Sequence, residues 1–306
     1  MPEDAPGRDP DQLPRTTARG ALGVPAGEAV PGAVRLAVRL AAPPEHVWPA
    51  LTEPDRVAEW FGDLAAPLRP GEDNRLDFED GDFFTLRPTL LVPARRLAYD
   101  WRFLGIGKQQ RIAWTLDQDG TGTLLTVTDH DTTRTPAEAG QLLEGWRDFL
   151  TRLATHLHTG TGARYALRDD IDGAVDLPPG PYRPLTYPAL LDWLPVAEDG
   201  FRPAWFFVVD DEGPRRFPLH DWELRDGQRL EFAVEIPGAH THPGARVTLA
   251  PVADGTGRRL AFTHRGWTRL GLPEGRAQEL RRRFTATWTA SLAAARERAH
   301  RAAGPD

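Results

Sequence analysis

The feature that most constrains this chain is an internal repeat. The tetrapeptide Asp-Gly-Thr-Gly stands at 119–122 and again at 254–257. The first lies between the segments RIAWTLDQ and LLTVTDHD, and the second between ARVTLAPV and RRLAFTHRG. Asp-Gly between alternating apolar segments is typical of a β-hairpin, because glycine accepts the positive φ angle of the turn. The sequence therefore predicts two equivalent hairpins, 135 residues apart.

The match continues on both sides of these hairpins. RRLAYDWRF (95–103) parallels QRLEFAVEI (228–236), and every second residue of both segments is apolar, as in a strand with one buried face. RLDFEDGD (75–82) parallels FFVVDDEG (206–213), which predicts a second pair of hairpins, each with an acidic turn. Each half then ends in a long segment with helical spacing of its apolar residues, at 136–157 and 273–300. A whole domain is therefore predicted to be repeated.

The predicted fold class is α+β, with two tandem copies of an antiparallel sheet followed by a long C-terminal helix. We predict a disordered tail at 1–31, because this segment is rich in proline, glycine and charge. The first copy is placed at 32–158 and the second at 170–302, with a linker at 159–169. The two copies are expected to form a domain–domain pseudo-dimer within the chain.

Composition excludes several classes of function. The 306 residues carry a formal net charge of −7, which disfavours a nucleic-acid partner. Cysteine is absent, and Lys108 and Ser291 are the single lysine and serine. Neither has the surroundings of a Schiff-base lysine or a nucleophilic serine, and no thiolate site is possible. No 18-residue apolar run or signal-peptide pattern occurs, so we expect a cytoplasmic protein without a membrane span.

The first half resembles a known family. AAPPEHVWPALTEPDRVAEWF, LAYDWRF, the first Asp-Gly-Thr-Gly hairpin and LLEGWRDFLTRLATHL stand in the order found in the AHSA1-like branch of the START/Bet v1-like (SRPBCC) superfamily. The second half is a divergent copy, joined to the resemblance through the repeat. The family implies a helix-grip fold, in which a curved antiparallel sheet wraps a long C-terminal helix around a cavity. Its members bind or transform hydrophobic small molecules, among them polyketide aromatases, cyclases and lipid carriers.

Polar residues at inward strand positions are the candidate catalytic groups. Continuing the apolar alternation places Asp129 inward in the first copy and His264 at the equivalent position of the second. Aligned upstream strands likewise match Arg87 with His220. A buried carboxylate or imidazole has a shifted pKa and can act as an acid or base. We expect Arg87 to pair with Asp129, and His220 and His264 to share a proton or bracket a ligand oxygen.

Each of these residues also has a purely structural interpretation. Asp129 can cap the turn that follows it, and the histidines can be ordinary surface or satisfied residues. Large aromatic side chains suit a pocket for a flat apolar ligand, but they are also ordinary core residues. The predicted ligand-binding residues are Tyr99, Trp101, Trp114, Trp146, Trp222, Phe232 and Trp288. His240 and His242 lie in a loop without a third ligand nearby, so no metal site is predicted.

Two functions follow from these expectations, and a third stays open. The first is a cofactor-free cyclase, aromatase or dehydratase of natural-product biosynthesis that uses acid and base residues on a hydrophobic, polyketide-like molecule. The second is a carrier or sensor of a hydrophobic ligand without turnover. The third is an interaction protein resembling the Hsp90 activator. Because the copies differ at their inward polar positions, we predict that at most one cavity is functional, and the histidines favour the second.

Overall fold

The repeat folds into two antiparallel sheets with the same strand order. The computed structural model describes residues 21–162, 168–200, 202–210, 213–240, 245–251 and 258–304. The first Asp-Gly-Thr-Gly turn, at 119–122, lies within the described residues. The second Asp-Gly-Thr-Gly, at 254–257, lies outside the described residues, although the two strands on either side of it pair as predicted.

The first sheet has eight strands, and three helices accompany it. Their bounds are β1 (Ala26–Val30), β2 (Ala33–Leu40), α1 (Pro44–Thr52), α2 (Pro54–Val57), β3 (Asp63–Leu64), β4 (Asn74–Asp77), β5 (Phe83–Val92), β6 (Arg96–Phe103), β7 (Gln110–Asp119), β8 (Gly122–His130) and α3 (Pro136–Thr159). The strand order is β1-β2-β8-β7-β6-β5-β4-β3. Helix α3 begins at a complete capping box between Thr135 and Glu138, which satisfies backbone donors of its first turn.

The second sheet has seven strands. Its elements are β9 (Asp170–Asp176), α4 (Tyr187–Trp193), β10 (Val196–Glu198), β11 (Pro203–Asp210), β12 (Gly213–Arg225), β13 (Arg229–Val234), β14 (Ala245–Pro251), β15 (Arg259–Arg265) and α5 (Glu274–Ala303). The strand order is β10-β11-β12-β13-β14-β15-β9. The first sheet has the corresponding order β3-β4-β5-β6-β7-β8-β2, so each strand of the second sheet has a counterpart in the first. The predicted fold class is confirmed: each half is an antiparallel sheet with a long helix from the end of its own segment packed on it.

The prediction of disorder for 1–31 is wrong for residues 26–30. These residues form β1, which pairs antiparallel with β2 along its whole length. Gly27 allows this close approach, since a Cβ atom there would clash with Leu36 and with the backbone of Arg35. This edge strand has the short sequence AGEAV and half-exposed side chains, so it shows no clear apolar alternation from which a strand could be predicted. Residues 1–20 lie outside the described residues.

Aromatic side chains pack against one another between each sheet and its helix. In the first half, Trp101 stacks on Phe84 with ring centroids 3.9 Å apart, and Trp146 of α3 packs against Trp101 and Trp114 at 5.5 and 5.4 Å. In the second half, Trp288 of α5 packs against Phe262 at 4.9 Å and Phe206 at 5.2 Å. Each such pair adds about 0.5–1.5 kcal/mol beyond the burial of its apolar area.

The two halves are joined by a buried ion cluster. The acidic turn, residues 80–82 between β4 and β5, reaches from the first half to α5 of the second. The Arg281 guanidinium donates to both carboxylate oxygens of Asp82 at 3.1 Å and to the backbone carbonyl of Asp80 at 2.8 Å. Gly81, at φ 97°, lies so close to α5 that a Cβ atom would come within 2.6 Å of the Arg282 backbone. The turn therefore requires glycine at its centre, between the two aspartates.

Burial dominates the electrostatics of this cluster. Arg281, Asp80 and Asp82 are almost completely buried. Loss of water around the Asp82 carboxylate raises its pKa to about 6, although Arg281 and Arg168 act in the opposite direction. Apolar residues of the first half also pack on the second, since Phe83, Leu104 and Ile106 belong to the core of the second half.

Arg281→Met is expected to destabilise the protein by about 3–5 kcal/mol at pH 8, because it removes the buried cation that contacts both carboxylates and leaves Asp82 with Arg168 alone. The loss should shrink at pH 5, where the carboxylates can take up protons. Urea unfolding at both pH values measures it. Arg282→Met is the matched control, since Arg282 is the exposed neighbour on the same helix turn and has no ion-pair partner among the described residues. Equal effects of the two substitutions would contradict the role of the cluster.

Candidate functional site

Arg87 and His220 lie on the outer faces of the sheets. In β5, Leu86 is opposite the inward Trp101, so its neighbour Arg87 points outward and is 58% exposed. In β12, His220 pairs with Ala233 of β13. Ala233 lies between Phe232 and Val234, which point inward, so His220 and Ala233 lie on the other face. A β-bulge follows at the same place in both copies, between Pro88 and Leu90 and between His220 and Glu223. The bulge resets the alternation, which the simple period-two prediction did not include.

The predicted pairing of Arg87 with Asp129 is wrong. The Arg87 guanidinium contacts Asp73 at 3.3 Å on the surface. Asp129, at the end of β8, is completely buried and bonds Arg134 at 2.7 Å and the indole N–H of Trp146 at 3.1 Å. Burial raises the pKa of Asp129, and Arg134 opposes this effect. Both carboxylate oxygens have partners, so the inward position of Asp129 serves packing of α3 on the sheet.

His264 is the equivalent residue of the second half, and it binds the equivalent tryptophan. It lies in β15, completely buried, where its Nδ1 accepts a hydrogen bond of 3.1 Å from Trp288 Nε1. The pair repeats the contact of Asp129 with Trp146, with imidazole in place of carboxylate. His220 does not reach it, because His220 Nε2 contacts Glu235 at 2.8 Å on the opposite face of the sheet. The predicted sharing of a proton between His220 and His264 is therefore wrong.

The hydrogen bond from Trp288 determines the tautomer of His264. An indole N–H can only donate, so Nδ1 is the unprotonated nitrogen and the proton of the neutral ring resides on Nε2. Burial, and to a smaller extent the charge of Arg281, lowers the pKa of His264 to about 3. At neutral pH the ring thus carries no charge and presents a single N–H donor.

Several buried polar atoms of the second interior have no hydrogen-bond partner among the described residues. They are His264 Nε2, Trp267 Nε1, Thr285 Oγ1 and Arg281 Nε. His264 and Trp267 contact each other with ring centroids 5.1 Å apart, and each contacts Phe284 at 5.2 Å. Arg281, Thr285 and Trp288 follow at i, i+4 and i+7 on the face of α5 that covers them. In the first interior, by contrast, Tyr99 accepts from Trp114 and Asp129 from Trp146, and Trp101 Nε1 is unpartnered.

The predicted ligand-binding aromatics lie inside the two cores. Tyr99, Trp101, Trp114 and Trp146 belong to the first core, and Phe232 and Trp288 to the second. Trp222 is partly buried and stacks on Phe232 at 5.2 Å, because the bulge turns it inward. Their packing is visible; a ligand-binding role for them stays a prediction.

A cleft of about 820 Å³ runs between the two halves beside the acidic turn. One wall is formed by Phe78, Glu79 and Phe83 of the first half, and the other by Arg282, Ala286 and Ala290 of α5. The Arg75 guanidinium lies 3.6 Å above the Phe83 ring and is held by Asp77. Clefts between domains are frequent ligand sites, so this cleft is a second candidate site.

Comparison with known proteins identifies the family. The family model described as "Activator of Hsp90 ATPase homolog 1-like protein" matches residues 41–158. The crystal structure of DynU16, a protein of the dynemicin biosynthetic locus, is 47% identical, covers 88% of this chain and 99% of its own, and has a TM-score of 0.81. This chain belongs to the AHSA1-like family.

Other solved structures cover less than half of this chain. CalU16 from Micromonospora echinospora is 23% identical, with coverage of 45% of this chain and 85% of CalU16 and a TM-score of 0.36. The Aha1 dimer from Colwellia psychrerythraea is 21% identical, with coverage of 42% and 98% and a TM-score of 0.39. Among curated proteins, none matches the sequence.

Some neighbours of His264 in this AHSA1-like protein were missed by sequence reasoning. Trp267 follows β15 in a short 3-10 helix, and Thr285 and Arg281 lie on α5. The helical spacing of Arg281 and Thr285 with Trp288 was the available signal. His242 lies outside the described residues. Within the described residues, no cluster of three or more potential metal ligands occurs, and no helix has the length and apolar character of a membrane span.

The pKa of His264 makes a testable contribution to the acid stability of the second copy. Between pH 6.5 and 3 the unfolded chain binds a proton at this residue and the folded chain does not, so stability falls as the pH falls. By pH 3 this contribution is on the order of 5 kcal/mol. His264→Gln should therefore lose less stability than the unsubstituted protein over this range, measured by urea unfolding.

The raised pKa of Asp82 changes stability with pH in the opposite direction to His264, and it does so in both proteins. Its contribution therefore cancels when the free energies of unfolding of the two proteins are subtracted. His220→Gln places the same substitution on the outer face and is the matched control. Parallel pH curves for His264→Gln and the unsubstituted protein would show that the ring titrates alike in the folded and unfolded states.

Proposed function

We propose that this protein binds an aromatic, polyketide-like small molecule of natural-product biosynthesis between the second sheet and α5. The similarity to DynU16 supports the biological setting, because it extends over both halves at 47% identity and DynU16 belongs to the dynemicin biosynthetic locus. The aromatic interior supports the ligand class, since flat rings are recognised by stacking against aromatic side chains.

The observation that carries this proposal is the free N–H of His264 in a ring-lined interior. The imidazole is completely buried, its Nε2 has no partner among the described residues, and rings of Trp267 and Phe284 surround it. A buried donor without an acceptor costs about 1–3 kcal/mol. A ligand that supplies the acceptor recovers this free energy, which favours the second copy over the first, where Asp129 is fully paired.

Binding without proton transfer by His264 is favoured over acid–base catalysis. A histidine with a pKa near 3 is a weak base at neutral pH, and it has no proton to give as an imidazolium. A cofactor-free cyclase is the second candidate, supported by the same N–H group: a neutral donor can polarise a carbonyl group and stabilise negative charge that develops on its oxygen. Product formation from a poly-β-ketone substrate, absent in His264→Phe, distinguishes this candidate from a carrier.

Binding in the second copy is expected to change the indole signals of that copy alone. With 2-(hydroxymethyl)anthraquinone as the probe, the ¹H–¹⁵N cross-peaks of Trp267 and Trp288 should shift. Those of Trp114 and Trp146, which occupy the corresponding interior of the first copy, should stay in place. Single Trp→Phe variants assign the four signals.

Ala290→Trp controls for the cleft between the halves, because it narrows that cleft without entering the second interior. Probe affinity should be the same in this variant. Shifts confined to Trp114 and Trp146, a loss of binding in Ala290→Trp, or no binding at all would each contradict the proposed site.

A further inference from the structure

The unpartnered polar atoms around His264 share one chemical property, which is that they donate hydrogen bonds. Trp267 Nε1 and Arg281 Nε carry a hydrogen in every state, and His264 Nε2 carries one because Nδ1 accepts from Trp288. Thr285 Oγ1 donates or accepts. The second interior therefore has at least three buried donors and lacks a dedicated acceptor for them among the described residues.

This pattern is unusual for a protein core. Nearly all buried polar side chains have a partner, and an exception calls for an explanation such as an ordered molecule. Aromatic faces are the alternative acceptors here, since His264 stands edge-on to Trp267 and Phe284. Such contacts are weak, and they leave the indole N–H of Trp267, the Nε–H of Arg281 and the hydroxyl of Thr285 unsatisfied.

We infer that the second interior recognises a neutral carbonyl oxygen of its ligand, held by His264 Nε2–H together with the hydroxyl of Thr285 and the N–H of Trp267. This inference rests on the proposed function and names the functional group that the site selects. A carbonyl oxygen accepts more than one hydrogen bond, has no proton of its own and enters an apolar interior without a full charge. Quinones and polyketides carry such oxygens directly on or between flat ring systems.

The surrounding charges exclude an anion as the preferred occupant. Asp82 takes both terminal nitrogens of Arg281, and the Asp80 carboxylate lies 3.3 Å from it. The other cation nearby, Arg168, contacts Asp82, Asp170 and Asp172. These two arginines thus face four aspartates. The charge of an anionic ligand would therefore be repelled, while a neutral hydrogen-bond acceptor would not.

Two probes of equal shape test the carbonyl directly. 2-(Hydroxymethyl)anthraquinone and 2-(hydroxymethyl)anthracene share three fused rings and the same substituent, and they differ in the two ring carbonyls. Equilibrium dialysis at low micromolar concentration should show the quinone bound at least tenfold more tightly. His264→Phe and Trp267→Phe, which retain a ring and remove the donor, should each bring the quinone close to the affinity of the anthracene; since His264→Phe also removes the acceptor of Trp288 Nε1, Trp267→Phe is the cleaner of the two tests.

Thr285→Val provides a test that is independent of ring packing. Valine has the shape of threonine without the hydroxyl, so it should weaken quinone binding by about tenfold. Without probe it should leave the melting temperature unchanged or raise it, because it removes an unsatisfied buried hydroxyl. Thr287→Val is the matched control on the same helix: its hydroxyl already donates to the Arg283 carbonyl at 2.9 Å, so its substitution should leave quinone affinity unchanged.

The outcomes separate this inference from the proposed function. Preference for the quinone that disappears in the three variants supports both. Equal binding of the two probes, or quinone binding that all three variants retain, overturns the carbonyl site and leaves ring binding intact. A marked drop in the melting temperature of probe-free Thr285→Val also overturns it, since the hydroxyl would then have a partner in the protein. Failure of both probes to bind overturns the inference together with the proposed function.

Discussion

The contact of Arg281 with the acidic turn is the constraint on which the arrangement of the two halves depends. A guanidinium and two carboxylates without access to water are stable only when their geometry is satisfied, because each unpaired charge would cost several kcal/mol. Asp82 supplies a two-point contact, Asp80 a carbonyl, and Gly81 the space for α5. The position of α5, and with it the wall of the second interior, is therefore set partly by residues of the first half.

Duplication preserved one interaction and changed its chemistry. In both halves the last strand ends with a polar side chain that accepts from a tryptophan of the terminal helix. The first half uses a carboxylate with a second partner, Arg134, and its hydrogen bonds are complete. The second half uses a neutral imidazole whose other nitrogen is free, next to further donors. The same scaffold thus holds a fully paired carboxylate at this position in one copy and an imidazole with an unpartnered N–H in the other.

The fold was predictable from sequence because it depends on periodicity, and periodicity is visible in one chain. Alternation located β6, β7, β8 and their counterparts, and helical spacing located α3 and α5. The inward positions of Asp129 and His264 followed from the same rule. The rule failed for Arg87 and His220, since a bulge beside each is created by the register between strands and has no simple sequence pattern. The partners of His264 were hidden for a related reason: Arg281 approaches it only through the packing of α5, and Trp267 through the turn that follows β15.

The core of the second half is completed by the first half. Phe83, Leu104 and Ile106 of the first half are buried among residues of the second, and Gly173 of β9 has the Leu104 side chain against it. If the gene were divided between the copies, the second polypeptide would expose the apolar surface that these residues of the first half cover. Its Arg281 would also lack Asp82 as a partner. Evolution can therefore alter the chemistry inside either copy, but it cannot easily return them to separate polypeptides.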